Sequence, residues 1–165
     1  MKYAAYGSNL HQIRLIYRVP SAQFLGKAII TNRALRFHKR SKDKSGKCNI
    51  VIDTNNNVYV AVYEIHESEK PALDNAEGVG YGYRTITLEV NGYGECFTYV
   101  AEQSHIDDSL IPYSWYKELV LAGCEKLNFP DDYIDFIRAV PVTEDSNEKR
   151  HAKNMELVEQ IRSGT

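Results

Sequence analysis

Cysteine is scarce in this chain of 165 residues: Cys48, Cys96 and Cys124 are odd in number, far apart, and form no C-x-x-C pair. That excludes a disulfide framework and a clustered-thiolate zinc site, and sets a reducing compartment as the expectation. A dominant charge is missing as well. Twenty basic residues against 22 acidic ones leave a formal net charge of −2, so no global field draws the protein to nucleic acid or to an anionic membrane. No apolar run approaches the roughly 18 residues that a spanning helix needs. The strand-like start Lys2-Tyr3-Ala4-Ala5-Tyr6 does not read as a leader, and the expectation is a soluble, cytoplasmic protein. None of the five histidines, His66-Glu67 included, stands in a metal-ligand spacing, so neither metal nor cofactor is expected.

What is present fits one domain with no internal repeat. After the opening strand, Gly7 and Ser8 break the pattern, and Leu10, Ile13, Ile16 and Tyr17 recur at helical spacing up to Pro20. Segments 26–38, 47–53 and 58–65 are rich in β-branched and aromatic residues, the last two separated by Thr54-Asn55-Asn56-Asn57, which reads as a hairpin turn. Ser68 is the expected cap of a helix over about 69–76, with Pro71 in its first turn. Ile86, Leu88 and Val90 then alternate with polar residues, and Asn91-Gly92 signals a two-residue hairpin into a strand at 93–101. Helices are expected at 114–127, capped by Ser114, and at 131–139. The run from Asn147 to Arg162 carries a narrow Met155, Leu157, Val158, Ile161 stripe, which suits a surface helix or a partner-docking one. About six strands in hairpins with interspersed helices imply an α+β fold around a small, curled, largely antiparallel sheet or barrel.

Several positions carry chemistry. In Tyr6-Gly7-Ser8-Asn9 the amides after the glycine, at a helix start, suit an anion, although from four residues alone a simple helix cap by Ser8 or Asn9 is favoured. No G-x-S-x-G elbow surrounds Ser8, which argues against a serine nucleophile. Glu77 lies at the end of the 69–76 helix, where the macrodipole disfavours negative charge and a proton-transfer role profits; for a lone glutamate the plainer reading is a solvated loop residue. Gly78-Val79-Gly80-Tyr81-Gly82 fits neither dinucleotide nor P-loop patterns and reads as a flexible turn. Arg84, in register with Ile86, Leu88 and Val90, is placed on the interior face, with an anionic ligand or a solvent-reaching strand end as equal alternatives. Of the 12 tyrosines, Tyr3, Tyr6, Tyr83, Tyr99 and Tyr116 fall on or beside elements that would surround a pocket, though tyrosines more often fill a core edge. Lys39, Arg40, Lys42, Lys44 and Lys47 form a basic run expected to be a solvated loop; without interleaved stacking aromatics it gives RNA binding little support.

Taken in order, Tyr6-Gly7-Ser8-Asn9-Leu10, Arg18-Val19-Pro20-Ser21-Ala22, Leu73-Asp74-Asn75-Ala76-Glu77-Gly78-Val79 and Tyr116-Lys117 resemble the γ-glutamylcyclotransferase family, which includes AIG2-like proteins and the butirosin-pathway deprotecting enzyme. The resemblance spans about 3–140. It implies a small mixed β-barrel with flanking helices, release of 5-oxoproline from a γ-glutamyl amino acid, amine or peptide without a cofactor, and Glu77 as the catalytic acid/base. It places substrate contacts at Tyr3, Ala4, Ala5, Tyr6, Gly7, Ser8 and Asn9, and at Tyr83 and Tyr116; Arg84 is kept as a substrate contact on the strand reading alone. Residues 1–140 would form the family domain and 141–165 a charged, helical C-terminal extension of the same unit. The alternative is a catalytically silent ligand-binding domain of the same fold. A small γ-glutamyl molecule is the expected partner, with no nucleic acid and no membrane, and a homodimer is left open.

Overall fold

Two long strands dominate the computed structural model, which describes residues 1–164. β2 (Gln23–Arg40) and β3 (Gly46–Glu64) form one hairpin, turned at Ser41–Ser45, where the Asp43 carboxylate accepts from the Ser45 amide at 2.9 Å. The segment Thr54–Asn57 is therefore not a hairpin turn. It lies inside β3, where Thr31 pairs with Asn57 and Arg33 with Ile52, so residues 53–56 bulge out opposite Asn32, whose φ is +59°. Asp53 holds the excursion by accepting from the Asn55 amide at 3.0 Å and the Asn56 side chain at 2.8 Å. The two flanking segments both pair with β2 rather than with each other, and the sheet has five strands, not about six.

The strand order is β2-β3-β1-β5-β4. β1 (Lys2–Ala5) runs antiparallel to β3 and parallel to β5 (Gly94–Ala101), and β4 (Tyr83–Val90) runs antiparallel to β5, which makes the fold α+β with a mixed, largely antiparallel sheet and flanking helices. The β4–β5 loop has three residues rather than two, since Val90 pairs with Gly94. The far half of the long hairpin curls over β5, where Ala101 N donates to Asn49 Oδ1 at 2.8 Å, and onto Ile106 through a bridge from Lys39.

Helix α1 (Gln12–Ile16) is short, and α2 (Lys70–Glu77) has Pro71 in its first turn, where a missing amide proton costs little. Ser68 does not cap α2; it sits in the preceding 3₁₀ turn, where His66 Nδ1 accepts from its amide at 3.2 Å. Ser114 likewise opens α3 (Ser114–Lys126) without capping it, because its hydroxyl reaches Glu144 at 3.0 Å. α4 (Asp131–Arg138) buries Ile134 and Ile137. α5 (Glu148–Ser163) is capped by Asn147, which accepts from the Arg150 amide at 3.0 Å, and packs on α3 with Val158 and Ile161 fully buried, so its apolar stripe belongs to the chain's own core. Burying such a side chain contributes about 1.5–3 kcal/mol each. Among the described residues no helix is long and apolar enough to cross a membrane.

The basic run is not a solvated loop. Lys39 is 6% exposed, and Lys47 lies 4.4 Å from the ring centres of both Trp115 and Tyr116 while pairing with Asp43 at 3.3 Å. Burial pulls the Lys47 ammonium down to about 8, against the opposing pull of Asp43. These two lysines sit on strands and turn inward, so of the run only Arg40, Lys42 and Lys44 are exposed.

Candidate active site

A small polar pocket of about 30 Å³ lies past the end of β1, where segments distant in sequence converge. Its acid is Glu77, the last residue of α2. The helix stops there because Gly78 turns left-handed at φ +81° and gives its amide to Asp74 O at 3.0 Å, a conformation that costs glycine nothing. Leu73, fully buried, anchors the helix, and Tyr99 O–H donates to Asp74 Oδ1 at 2.6 Å, tying α2 to β5.

Glu77 is held from one side only. Its Oε1 accepts from Asn9 Nδ2 at 2.7 Å and from Arg18 Nη1 at 3.0 Å, whereas Oε2 has no protein donor among the described residues. Arg18 Nη1 also donates to Asn9 Oδ1 at 3.2 Å, and Asn9 Nδ2 lies 3.3 Å from the Tyr3 hydroxyl. Two side chains, Asn9 and Arg18, thus fix the carboxylate through Oε1, with Tyr3 behind Asn9, and Oε2 is left without a protein donor on a residue that lines the pocket.

The turn that carries Asn9 differs from its sequence reading. Leu10 N donates to Gly7 O at 3.1 Å, and α1 starts only at Gln12, capped by His11 Nδ1, which accepts from the Ile13 amide at 3.2 Å. The Gly7 and Ser8 amides therefore belong to a turn and not to a helix end, and neither Ser8 nor Asn9 is a cap. Among the described residues these two N–H groups have no protein acceptor. Gly7 is needed for space and not for a positive φ: a Cβ there would stand 3.1 Å from Cys48 Cβ and 3.4 Å from the Tyr116 hydroxyl.

Five tyrosines line the cavity, Tyr3, Tyr6, Tyr83, Tyr99 and Tyr116, and burial raises every one above the usual phenol range. They are neutral at physiological pH and act as hydrogen-bond partners, not bases. Three spend their protons inside the protein: Tyr6 on Tyr99 O at 2.5 Å, Tyr83 on Cys48 O at 2.5 Å, and Tyr99 on Asp74. Tyr116 instead accepts from the Cys48 amide at 3.0 Å and Tyr3 accepts from Asn9, so these two keep a proton to offer. Burial pushes the Cys48 thiol up to about 12, which makes it a wall and not a nucleophile.

Ala4 and Ala5 are buried in β1 and line no part of the pocket; Ala4 O accepts from Thr98 Oγ1 at 2.7 Å. Arg84 is exposed and stands outside it. The face of Ile86, Leu88 and Val90 does pack on apolar core, but the pocket lies on the other face of β4, where Tyr83 and Thr85 oppose Ala101 and Tyr99, and the pleat that sends Tyr83 inward sends Arg84 away.

This arrangement has relatives. A model of the AIG2-like family matches residues 57–137. The γ-glutamylcyclotransferase of Bos taurus is 30% identical over 138 residues, covering 79% of this chain and 73% of the bovine protein. The chain belongs to the γ-glutamylcyclotransferase family. The γ-glutamylcyclotransferase of Mus musculus is 28% identical over 152 residues, which cover 86% of this chain and 79% of the murine one. A solved γ-glutamyl cyclotransferase structure superposes with a TM-score of 0.80 at 25% identity, covering 93% of this chain and 98% of that one. Both the family and the α+β fold read from the sequence are those found.

Two groups escaped the sequence reading, Cys48 in the pocket wall and Arg18 in contact with Glu77. Arg18 stood in a quoted motif, Arg18-Val19-Pro20, but nothing in the sequence joined it to a carboxylate 59 residues away. Cys48 gave no signal beyond its apolar setting on β3.

Proposed function

We propose that this chain is a cofactor-independent γ-glutamylcyclotransferase that releases 5-oxoproline from a γ-glutamyl amino acid, amine or peptide. The observation that carries the reading is the one-sided grip on Glu77, with Oε1 bound by Asn9 and Arg18 and Oε2 free in a pocket of neutral phenols. The substrate's α-amine attacks its own γ-carbonyl carbon, the new C–N bond closes the five-membered lactam, and the C–N bond to the departing amine breaks. Glu77 takes one proton from the α-ammonium to free the amine for attack and a second as the lactam N–H forms, and passes both to the leaving nitrogen, which departs as an ammonium, so atoms and charge balance without a co-reactant. The Gly7 and Ser8 amides and the Tyr116 hydroxyl are the donors available for the substrate carboxylate and the tetrahedral oxyanion.

The test is a panel of γ-glutamyl amino acids, peptides and amines incubated with purified protein and assayed for 5-oxoproline by mass spectrometry. Turnover of at least one member supports the reading; release from none, with the protein folded, overturns it in favour of a silent ligand-binding domain.

A further inference from the structure

Beside the pocket, α1 and α5 bound a groove of about 820 Å³, within the range of ligand clefts. Arg18 stands between them: it lines the groove while its Nη1 touches Asn9 and Glu77, which line the pocket. Four residues earlier, on α1, Arg14 also lines the groove. α5 contributes Lys149, Arg150 and Lys153 from the opposite side.

Arg18 and Arg150 are already matched, by Glu77 and by the Asp145 carboxylate, which Arg150 grips at 2.5 and 2.7 Å. The others are not. Among the described residues Arg14 has no carboxylate partner; its Nη1 makes one long contact to Asn154 Oδ1 at 3.4 Å, and its buried Nε has no partner at all. Burial, with Arg18 adding to it, lowers the guanidinium to about 10, so it remains charged at neutral pH. A cation held this way is costly until an anion meets it. Lys149 and Lys153 are exposed, and among the described residues the one acid lining the groove is Glu156, which leaves its lining with more basic than acidic side chains in a chain whose net charge is −2.

We propose that this groove receives the departing half of the substrate and selects γ-glutamyl conjugates whose leaving amine carries negative charge, namely an acidic amino acid or a short acidic peptide. The proposal rests on the cyclotransferase reading and refines it. In this proposal the γ-glutamyl head sits at Glu77, the leaving group passes Arg18, which touches Glu77 and lines the groove, and its acidic end meets Arg14 and the lysines of α5. A leaving group with an added positive charge meets the same field with the opposite sign. The matched family model ends at residue 137, so the selecting lysines stand on a helix outside it.

The experiment compares kcat/KM for 5-oxoproline release from γ-glutamyl-glutamate and γ-glutamyl-lysine, which share every group near the scissile bond and differ in the charge at the side-chain end. The wild-type protein is expected to favour the glutamate conjugate by about tenfold or more at low salt, with the preference shrinking at high salt. The double substitution Lys149→Gln and Lys153→Gln, at exposed positions, is expected to cut that ratio about threefold or more with an unchanged thermal melt. Equal rates for both conjugates, a preference for lysine, or an unaltered ratio in the double variant overturns the groove as selector while leaving the cyclotransferase reading intact. Release from neither conjugate, nor from any member of the wider panel, removes both.

Discussion

Asn9 Nδ2 stands 2.7 Å from Glu77 Oε1, joining a turn at the start of the chain to a helix end 68 residues later. With Arg18 on the same oxygen, that bond sets which edge of the carboxylate meets a ligand. It also makes the acid's orientation, and not only its presence, a property that mutation can test.

Glu77→Gln keeps the shape and can still accept from Asn9 and Arg18, but it has no transferable proton site. Turnover is expected to fall about 100-fold or more with circular dichroism unchanged. Activity within a few-fold of wild type would remove Glu77 as the base.

Gly7→Val is expected to be far more damaging than Ser8→Ala. The valine Cβ would press on Cys48 and Tyr116, closing the pocket from beneath, whereas losing the Ser8 hydroxyl leaves its backbone amide in place. Kinetics of both variants, with dichroism to confirm folding, decide the point. A dead Ser8→Ala beside an active, folded Gly7→Val would replace the amide cradle with a side-chain mechanism at Ser8.

Alkaline unfolding should be cooperative. Tyr3, Tyr6, Tyr83, Tyr99 and Tyr116 are held by burial above the ordinary 10.0, so in the unfolded chain they lose protons at a pH where the folded chain keeps them. The unfolded state then binds fewer protons. Stability from these groups is fully present below pH 10.0 and is lost as the pH climbs above it, each phenol contributing up to about 1.4 kcal/mol per pH unit. Thermal melts across a pH series, read beside ultraviolet phenolate absorbance, should show both signals changing together. Ionisation of these phenols in a still-folded protein would contradict the packing described.

The thiols should be silent in the native state. All three cysteines are buried, and Cys48 is pushed up to about 12, so alkylation at neutral pH should proceed only after denaturation. Mass spectrometry of iodoacetamide-treated protein checks this, and rapid native labelling of Cys48 would show a pocket more open than the one seen.

How far the sequence could be read depended on the range of each signal. The helix end at Glu77 was legible because its signal is local, a helix run followed by a glycine, whereas the acid's role came from the family resemblance and not from its own residues. Arg18 acquires a role only through contact with Glu77, and no spacing rule encodes a pairing across 59 residues. Thr54-Asn55-Asn56-Asn57 looks the same as a turn or as a bulge, and only β2 running alongside decides between them. Ser68 and Ser114 are ordinary cap residues displaced by His66 and Glu144 nearby in space. Arg84 shows the limit of a period-two pattern. It identified a packed face of β4 correctly but not that the pocket occupies the other one.

β1 lies between β3 and β5, with Tyr3 facing Tyr63 on one side and Phe97 on the other, and the turn that holds Asn9 hangs from its end. The shortest strand of the sheet thus waits for partners made much later in the chain, and closing loops of that size is slow. The acid and its grip are expected to come together once β5 has docked against β1, so that the pocket matures late in folding. Amide protons of Tyr3 to Ala5 should then exchange only through global unfolding, and a chain cut before β5 would carry Asn9, Arg18 and Glu77 without assembling them.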